Sequence, residues 1–381
     1  MNAYLDNSAT TKPCESVRKA VAELTESGWY NPSALYKPAL EIQKRMEACR
    51  QDCLAAAGAE GQRIVFTAGG TEADNLALLG HLKARRGGGR VLISDIEHPA
   101  VSACREEILH MGFEAEGIPV TPAGLTDLDW LENHLDNRVV LIAVMQVNNE
   151  TGAVQPLEDI VSLRKKHCPE AAVHVDGVQG FLRVPLRMNR LGIDSYALSA
   201  HKIQALKGTG ALIFRKGHPI RPLVWGGGQE DQLRSGTENT LGILALGEAV
   251  RAYDPASNER MRMLKQRLWN GIREQIPDAL RNGPEEKHSA PHILNVALPP
   301  VRSQTMLFAL EGDGIYVSAG SACASRKQKI SPVLKAMGIA PERADCSLRF
   351  SLSPETTEAE VDYAAERTAF HWQMLKKYTR R

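Results

Sequence analysis

Short apolar runs and longer helical patterns alternate from residue 63 to residue 252, and this alternation limits the chain to few folds. Residues 63–66 (RIVF), 90–94 (RVLIS), 138–145 (RVVLIAVM), 171–175 (AAVHV), 194–198 and 210–214 (GALIF) read as buried strands. Their apolar residues are nearly continuous rather than alternating, so both faces of the sheet need cover. Helical spacing falls between them, at 71–84, after Pro99, at 156–167 and at 240–252. Strand and helix in turn predict an α/β fold with a mostly parallel central sheet. The stretch Asp254-Pro255-Ala256-Ser257-Asn258 interrupts the pattern. Beyond it the spacing predicts a helix over 258–276, a strand near 293–298 and a helix at 303–311. Strand-like pieces near 315–318 and 346–351 and a final helix from about 356 complete a smaller α+β lobe.

Composition narrows the function. The 46 Lys and Arg against 45 Asp and Glu leave a formal charge of +1, which gives no support for binding nucleic acid or an anionic membrane. The basic residues Lys376, Lys377, Arg380 and Arg381 read as a solvated helix end. MNAYLDNSATTKP has neither the basic nor the apolar region of a signal peptide, and no run of 18 apolar residues suggests a membrane span. The seven cysteines (14, 49, 53, 104, 168, 323 and 346) include no Cys-x-x-Cys and no zinc spacing. Cys49 and Cys53 could share a helix face, but two ligands make no metal site. A reducing, cytoplasmic setting is expected.

Four strand-to-helix connections carry polar residues that the fold does not need, and ligands bind there in such sheets. Thr67-Ala68-Gly69-Gly70-Thr71-Glu72 follows RIVF and offers backbone N–H groups and a hydroxyl to an anion such as phosphate. Glu97-His98-Pro99 follows RVLIS and puts a proton carrier at a strand end. Asn148-Asn149-Glu150-Thr151-Gly152 follows RVVLIAVM. Taken singly, each is ordinary turn chemistry. The fourth carries more. AAVHV runs into Asp176-Gly177-Val178-Gln179, and Ser199-Ala200-His201-Lys202 follows the next strand. A lysine amine can bind an aldehyde cofactor, and an aspartate can keep a pyridine nitrogen protonated. That pair is what pyridoxal-phosphate (PLP) chemistry requires.

With these blocks in view, the chain resembles the cysteine desulfurases of the class V aminotransferase fold over about residues 4–369. The matching blocks are DNSATT (6–11), NPS (31–33), FTAGGTEADN (66–75), EHPAV (97–101), VNNETGAVQP (147–156) and HVDGVQ (174–179). They continue with SAHK (199–202), KGTGAL (207–212), GGGQE (226–230), RSGTEN (234–239), GSAC (320–323) and LRFSLS (348–353). The resemblance implies an aspartate aminotransferase-like fold, with a large PLP domain at 13–255 and a small domain at 256–381 that includes residues 1–12.

It also implies roles. Lys202 would hold PLP, with Gly70, Thr71, Ser199 and His201 around its phosphate and Thr237 reaching the phosphate of a neighbouring subunit in a homodimer. His98 would stack on the ring and move protons. Asp176 would pair with the ring nitrogen and Gln179 with the ring hydroxyl. Arg349, helped by Asn149, would grip the substrate carboxylate. Cys323, followed by the basic Arg326 and Lys327, would take sulfur from L-cysteine as a persulfide and release alanine. The segment that follows, KQKISPVLKAMG (327–338), matches the longer cysteine-loop form, which passes sulfur to an acceptor protein such as an iron–sulfur scaffold or a tRNA-thiolation protein.

Other readings share parts of this pattern: a selenocysteine lyase, another class V aminotransferase or lyase, and a non-catalytic protein that kept the fold. Four segments depart from the family pattern: Ala34-Leu35-Tyr36, Ala200, Gln204-Ala205-Leu206 and Asp231-Gln232. None removes a group assigned to chemistry.

Overall fold

The computed structural model describes residues 1–320 and 331–378. Its strands are β1 (Ala3–Tyr4), β2 (Arg63–Thr67), β3 (Arg90–Ser94), β4 (Glu114–Ile118), β5 (Val139–Met145) and β6 (Ala172–Asp176). They continue with β7 (Ser195–Ser199), β8 (Gly210–Phe214), β9 (Leu280–Asn282), β10 (Ile293–Ala297), β11 (Ile315–Tyr316) and β12 (Ser347–Ser351). Seven form one sheet in the order β2-β8-β7-β6-β5-β3-β4. Only β8 runs against its neighbours; the other adjacent pairs are parallel. The mostly parallel α/β sheet expected from the sequence is present. β5 through β8 are buried along their whole length, as the nearly continuous apolar runs require, and each face of the sheet has its own apolar core.

β4 escapes the sequence pattern. It lies at one edge of the sheet, and its residues Glu114 and Glu116 break the apolar run that marks its neighbours. Glu116 instead takes an ion pair with Arg90 at 3.1 Å. The helix expected over 71–84 spans Gly70–Ala84 but contains a π-helical stretch, Leu76–Gly80. There Gly80 lies so close to a crossing segment that a Cβ would stand 2.7 Å from the Arg221 carbonyl. The Gly80 carbonyl accepts from Arg221 N–H at 2.9 Å. A bare backbone is what lets the two segments touch.

The C-terminal part builds a separate core around the antiparallel sheet β12-β10-β9. Helix Ala256–Gln275 turns Met261, Leu264, Leu268 and Ile272 inward at helical spacing. Helix Glu358–Leu375 packs against it and starts with a capping box between Thr357 and Glu360. Ala3 and Leu5 belong to this core. β1 pairs with β11, and Asp6 bridges to Ser351. Among the described residues, no helix is long and apolar enough to cross a membrane.

Because β2, β3, β5, β6 and β7 share one direction, the turns after them all emerge at one edge of the sheet. The four connections singled out from the sequence lie there.

Candidate active site

Lys202 sits in the single helical turn Ala200–Lys202 after β7. Its Nζ donates to the carbonyls of Ser8, at 2.6 Å, and Ala9, at 2.8 Å. The DNSATT segment that supplies them is held from both sides. Thr11 Oγ1 donates to the His201 carbonyl at 2.7 Å, and Asn7 Nδ2 donates to the Ser351 carbonyl at 2.9 Å.

Asp176 ends β6, buried, with Oδ1 accepting from Val178 N–H at 2.9 Å. Burial raises its pKa, while His98, the Val178 amide and Lys202 pull it down. His98 caps the turn Pro99–Ser102, and its Nδ1 accepts from Ala100 N–H at 3.1 Å. In the neutral ring this puts the proton on Nε2. Burial lowers the His98 pKa, Asp176 opposes the shift and Lys202 reinforces it. His98, Asp176 and Lys202, from three different strand ends, therefore share one electrostatic neighbourhood. His201 is held near 4, by burial first and then by Lys202 and Lys207, so it is neutral at pH 7. Its Nδ1 lies 3.1 Å from Thr10 Oγ1.

The turn after β2 is tightly drawn. A Cβ on Gly70 would stand 2.6 Å from Val178 Cγ2 and 3.5 Å from Ser199 Cβ. This packs the start of the Gly70 helix onto the Asp176–Gln179 and Ser199–Lys202 turns. Thr71 is exposed at that start. Glu72, one residue on, accepts from Arg234 Nε at 2.9 Å and so anchors the segment bearing Thr237. Thr237 itself is exposed and has no hydrogen bond to the other site residues among those described.

Arg349, on β12, is only 2% exposed. Nη1 donates to the Asn149 carbonyl at 2.8 Å and Nη2 to Asp6 Oδ1 at 2.7 Å. Its Nε finds no partner among the described residues. Asn149 thus meets Arg349 through its backbone, while the neighbouring Asn148 side chain shapes the turn by accepting from Glu150 N–H and Thr151 N–H. Cys323, Arg326 and Lys327 lie outside the described residues.

Several residues that the structure puts here have no role in the sequence analysis. Ser8 and Ala9 lie in a block that matched, but they act through carbonyls, which leave no side-chain signal. Glu97 is buried, accepts from Met145 N–H at 2.6 Å and has its pKa raised by burial. Arg183 and His292 converge on Gln179 from separate segments.

A sequence model of the family described as aminotransferase class-V matches residues 3–364. The chain belongs to the aminotransferase class-V family. Its curated class-V relatives include the cysteine desulfurase IscS of Clostridium botulinum, 35% identical over 370 residues, covering 95% of this chain and 92% of that one. A cysteine desulfurase of Nostoc is 36% identical over 366 residues, covering 95% and 91%. Among solved structures, a NifS-like protein superposes with a TM-score of 0.92 at 32% identity, covering 98% of this chain and 100% of that one. SspA in complex with cysteine superposes with a TM-score of 0.81 at 28% identity, covering 93% and 100%. These class-V neighbours share the aspartate aminotransferase-like fold.

Proposed function

We propose that this class-V enzyme is an L-cysteine desulfurase that uses pyridoxal phosphate, forms alanine and leaves the sulfur on Cys323. The observation that carries the reading is the convergence of Lys202, Asp176 and His98 from three strand ends, joined through the Asp6–Ser8 segment to a buried arginine with an unpartnered Nε, in a chain whose relatives bear that name.

The residues fit the cofactor. A lysine amine lies beside a buried carboxylate, and the Gly70 helix start is packed so tightly on the Val178 and Ser199 turns that a Cβ would stand 2.6 Å from Val178 Cγ2. Lys202 would hold the aldehyde carbon. Asp176 would hold the ring nitrogen proton and Gln179 the ring hydroxyl, with Gly70, Thr71, Ser199 and His201 at the phosphate. When bound, pyridoxal phosphate supplies a carbon that takes the substrate amine and a ring that accepts electrons from the α-carbon.

The chain's own groups do the rest. The Arg349 fork takes the carboxylate and, with Asn149, fixes the amino acid. Lys202 Nζ would be the base that removes the α-proton. His98 Nε2 is the proton donor or acceptor at that centre. The Cys323 thiolate attacks the substrate sulfur. The carbon–sulfur bond breaks with its electron pair left on carbon, which takes a proton to become the methyl of alanine. The sulfur remains as a persulfide on Cys323.

Several finer features belong to the same reading. The cofactor domain spans 13–255, and the second domain spans 256–381 together with 1–12, in line with the separate apolar cores. The working form is a homodimer in which Thr237 reaches the neighbour's phosphate. The exposed Trp29, Leu35, Tyr36 and Trp225 support a covered face. The persulfide passes to an acceptor protein, an iron–sulfur scaffold or a tRNA-thiolation protein, in the cytoplasm.

The test measures sulfide and alanine released from L-cysteine with a reductant, for the parent protein and Cys323→Ser, with the visible cofactor band recorded for both. Release by the parent alone, with the band in both, is expected. Equal release by the two, or a parent that binds the cofactor but turns over no cysteine, overturns the reading.

A further inference from the structure

Gln179 is held by two buried side chains that the proposed chemistry does not use. Its Oε1 accepts from Arg183 Nη1 at 3.4 Å and from His292 Nε2 at 3.3 Å. Its Nε2 donates to the Ser8 carbonyl at 2.9 Å, the same carbonyl that takes Lys202 Nζ at 2.6 Å. The second terminal nitrogen of Arg183, Nη2, donates to the Lys202 carbonyl. Gln179, Arg183 and His292 are all buried.

This arrangement decides which way the amide points. A guanidinium can only donate, and a carbonyl can only accept. The atom facing Arg183 must therefore be the amide oxygen, and the atom facing Ser8 must be the nitrogen. His292 agrees, because burial and the charges of Arg183, Lys265 and Arg349 keep it neutral. Its single ring proton serves Nε2, and Nδ1 has no partner among the described residues.

Arg183 is costly where it stands. Among the described residues no carboxylate pairs with it, its Nε is unpartnered, and the Tyr253 hydroxyl is the titratable group that faces it. Burying a cation without a counter-charge is strongly unfavourable. The residue before it, Leu182, has φ 66°, a left-handed conformation that side chains disfavour. Asn258 Nδ2 pins that turn through the Leu182 carbonyl at 2.9 Å. A fold that needed only to fill this space could do so with an apolar side chain.

We propose that Arg183 and His292 are positioning residues that lock the Gln179 amide with its Nε2 turned to Ser8 and the ring hydroxyl of bound pyridoxal phosphate, and that Arg183 sets a fixed positive charge behind it. The inference rests on the cofactor reading above. A cation there favours the deprotonated ring oxygen, so it eases loss of the proton shared between that oxygen and the lysine-linked nitrogen. Removing the cation makes that proton harder to lose.

The experiment titrates the visible band of the holoenzyme with pH, without substrate, for the parent, Arg183→Met and Arg183→Lys. The charge term predicts a midpoint about one pH unit higher in Arg183→Met, mostly restored in Arg183→Lys. The other groups facing this region stay the same in all three proteins: Tyr253, Lys265, Arg349, His292, His98, Asp176, His201 and Lys202. A difference in midpoint therefore reports Arg183. Should Arg183→Met fail to fold, His292→Leu against His292→Gln decides. Leucine raises the midpoint by about half a unit through the freed amide, and glutamine, which keeps a donor, does not. Midpoints that stay with the parent in every folded, cofactor-bound variant overturn the proposal. A parent with no visible band overturns the cofactor reading on which it rests.

Discussion

Arg349 and Asp6 form an ion pair at 2.7 Å between β12 and the N-terminal segment, with the arginine side chain 2% exposed and the aspartate 19%. In the free protein, Asp6 is the counter-charge that lets this guanidinium be buried. An arriving carboxylate can share the fork through Nε, which has no partner among the described residues. Asp6→Asn should therefore lower the stability of the free protein by about 1–3 kcal/mol. A carboxylate ligand should then recover more stability in the variant than in the parent. Denaturant unfolding with and without an unreactive cysteine analogue measures both. Arg349→Lys should raise KM for L-cysteine about tenfold or more, because an ammonium cannot reproduce the fork.

Two buried histidines make stability depend on acid. The rings of His81 and His218 stack 4.7 Å apart and 4° from parallel, and neither Nε2 has a partner among the described residues. Burial, then His81, brings the His218 pKa down from 6.5 to about 4. The unfolded chain therefore binds the proton first, and the stability that depends on neutral His218 is lost as pH falls from 6.5 through about 4. Burial drives Asp74 and Glu97 the opposite way, but both are present in any comparison. His218→Phe keeps a ring against His81 and should reduce the stability lost between pH 6.5 and 4.5 by about 1–3 kcal/mol. Urea unfolding at several pH values gives the two slopes, and identical slopes refute the assignment.

The Gly70 cradle can be tested through its neighbour. Gly70→Ala drives a Cβ to 2.6 Å from Val178 Cγ2 and should cost about 1–3 kcal/mol as overpacking. It should also weaken cofactor retention. Adding Val178→Ala removes the colliding methyl and should restore most of both. Loss of cofactor in the double variant equal to that in Gly70→Ala would mean that the bare backbone itself is what the site requires.

Trp225 is 76% exposed and Leu35 92%, and in the homodimer reading such side chains are covered by the partner. Trp225→Glu should shift the protein from dimer to monomer in sedimentation, with weaker cofactor retention if Thr237 completes the neighbour's site. A parent that sediments as a monomer ends the dimer proposal.

The sheet was legible because its central strands are mostly apolar on both faces, and β5 through β8 are buried at every residue. Edge strand β4 was not, because an edge tolerates Glu114 and Glu116. In the site, His98, Asp176, Gln179, Ser199 and Lys202 stand at strand ends, where polarity after an apolar run is conspicuous. Ser8 and Ala9 work through carbonyls, and any residue has one. Arg183 and His292 are legible only in three dimensions, because their meeting point, Gln179, lies 113 residues from His292. Nothing local in either segment announces the other.

The DNSATT segment joins residues that the ribosome makes at opposite times. Asp6 closes on Arg349, Asn7 on Ser351, and Ser8 on Lys202. A nascent chain can assemble the seven-stranded sheet once residue 214 is out, yet its N-terminal segment gains its strand partners only when Ile315–Tyr316 and then Ser347–Ser351 follow. Until then the lysine lacks its finished surroundings and the arginine does not exist. The site is therefore completed late in synthesis, when β12 brings Arg349 to Asp6.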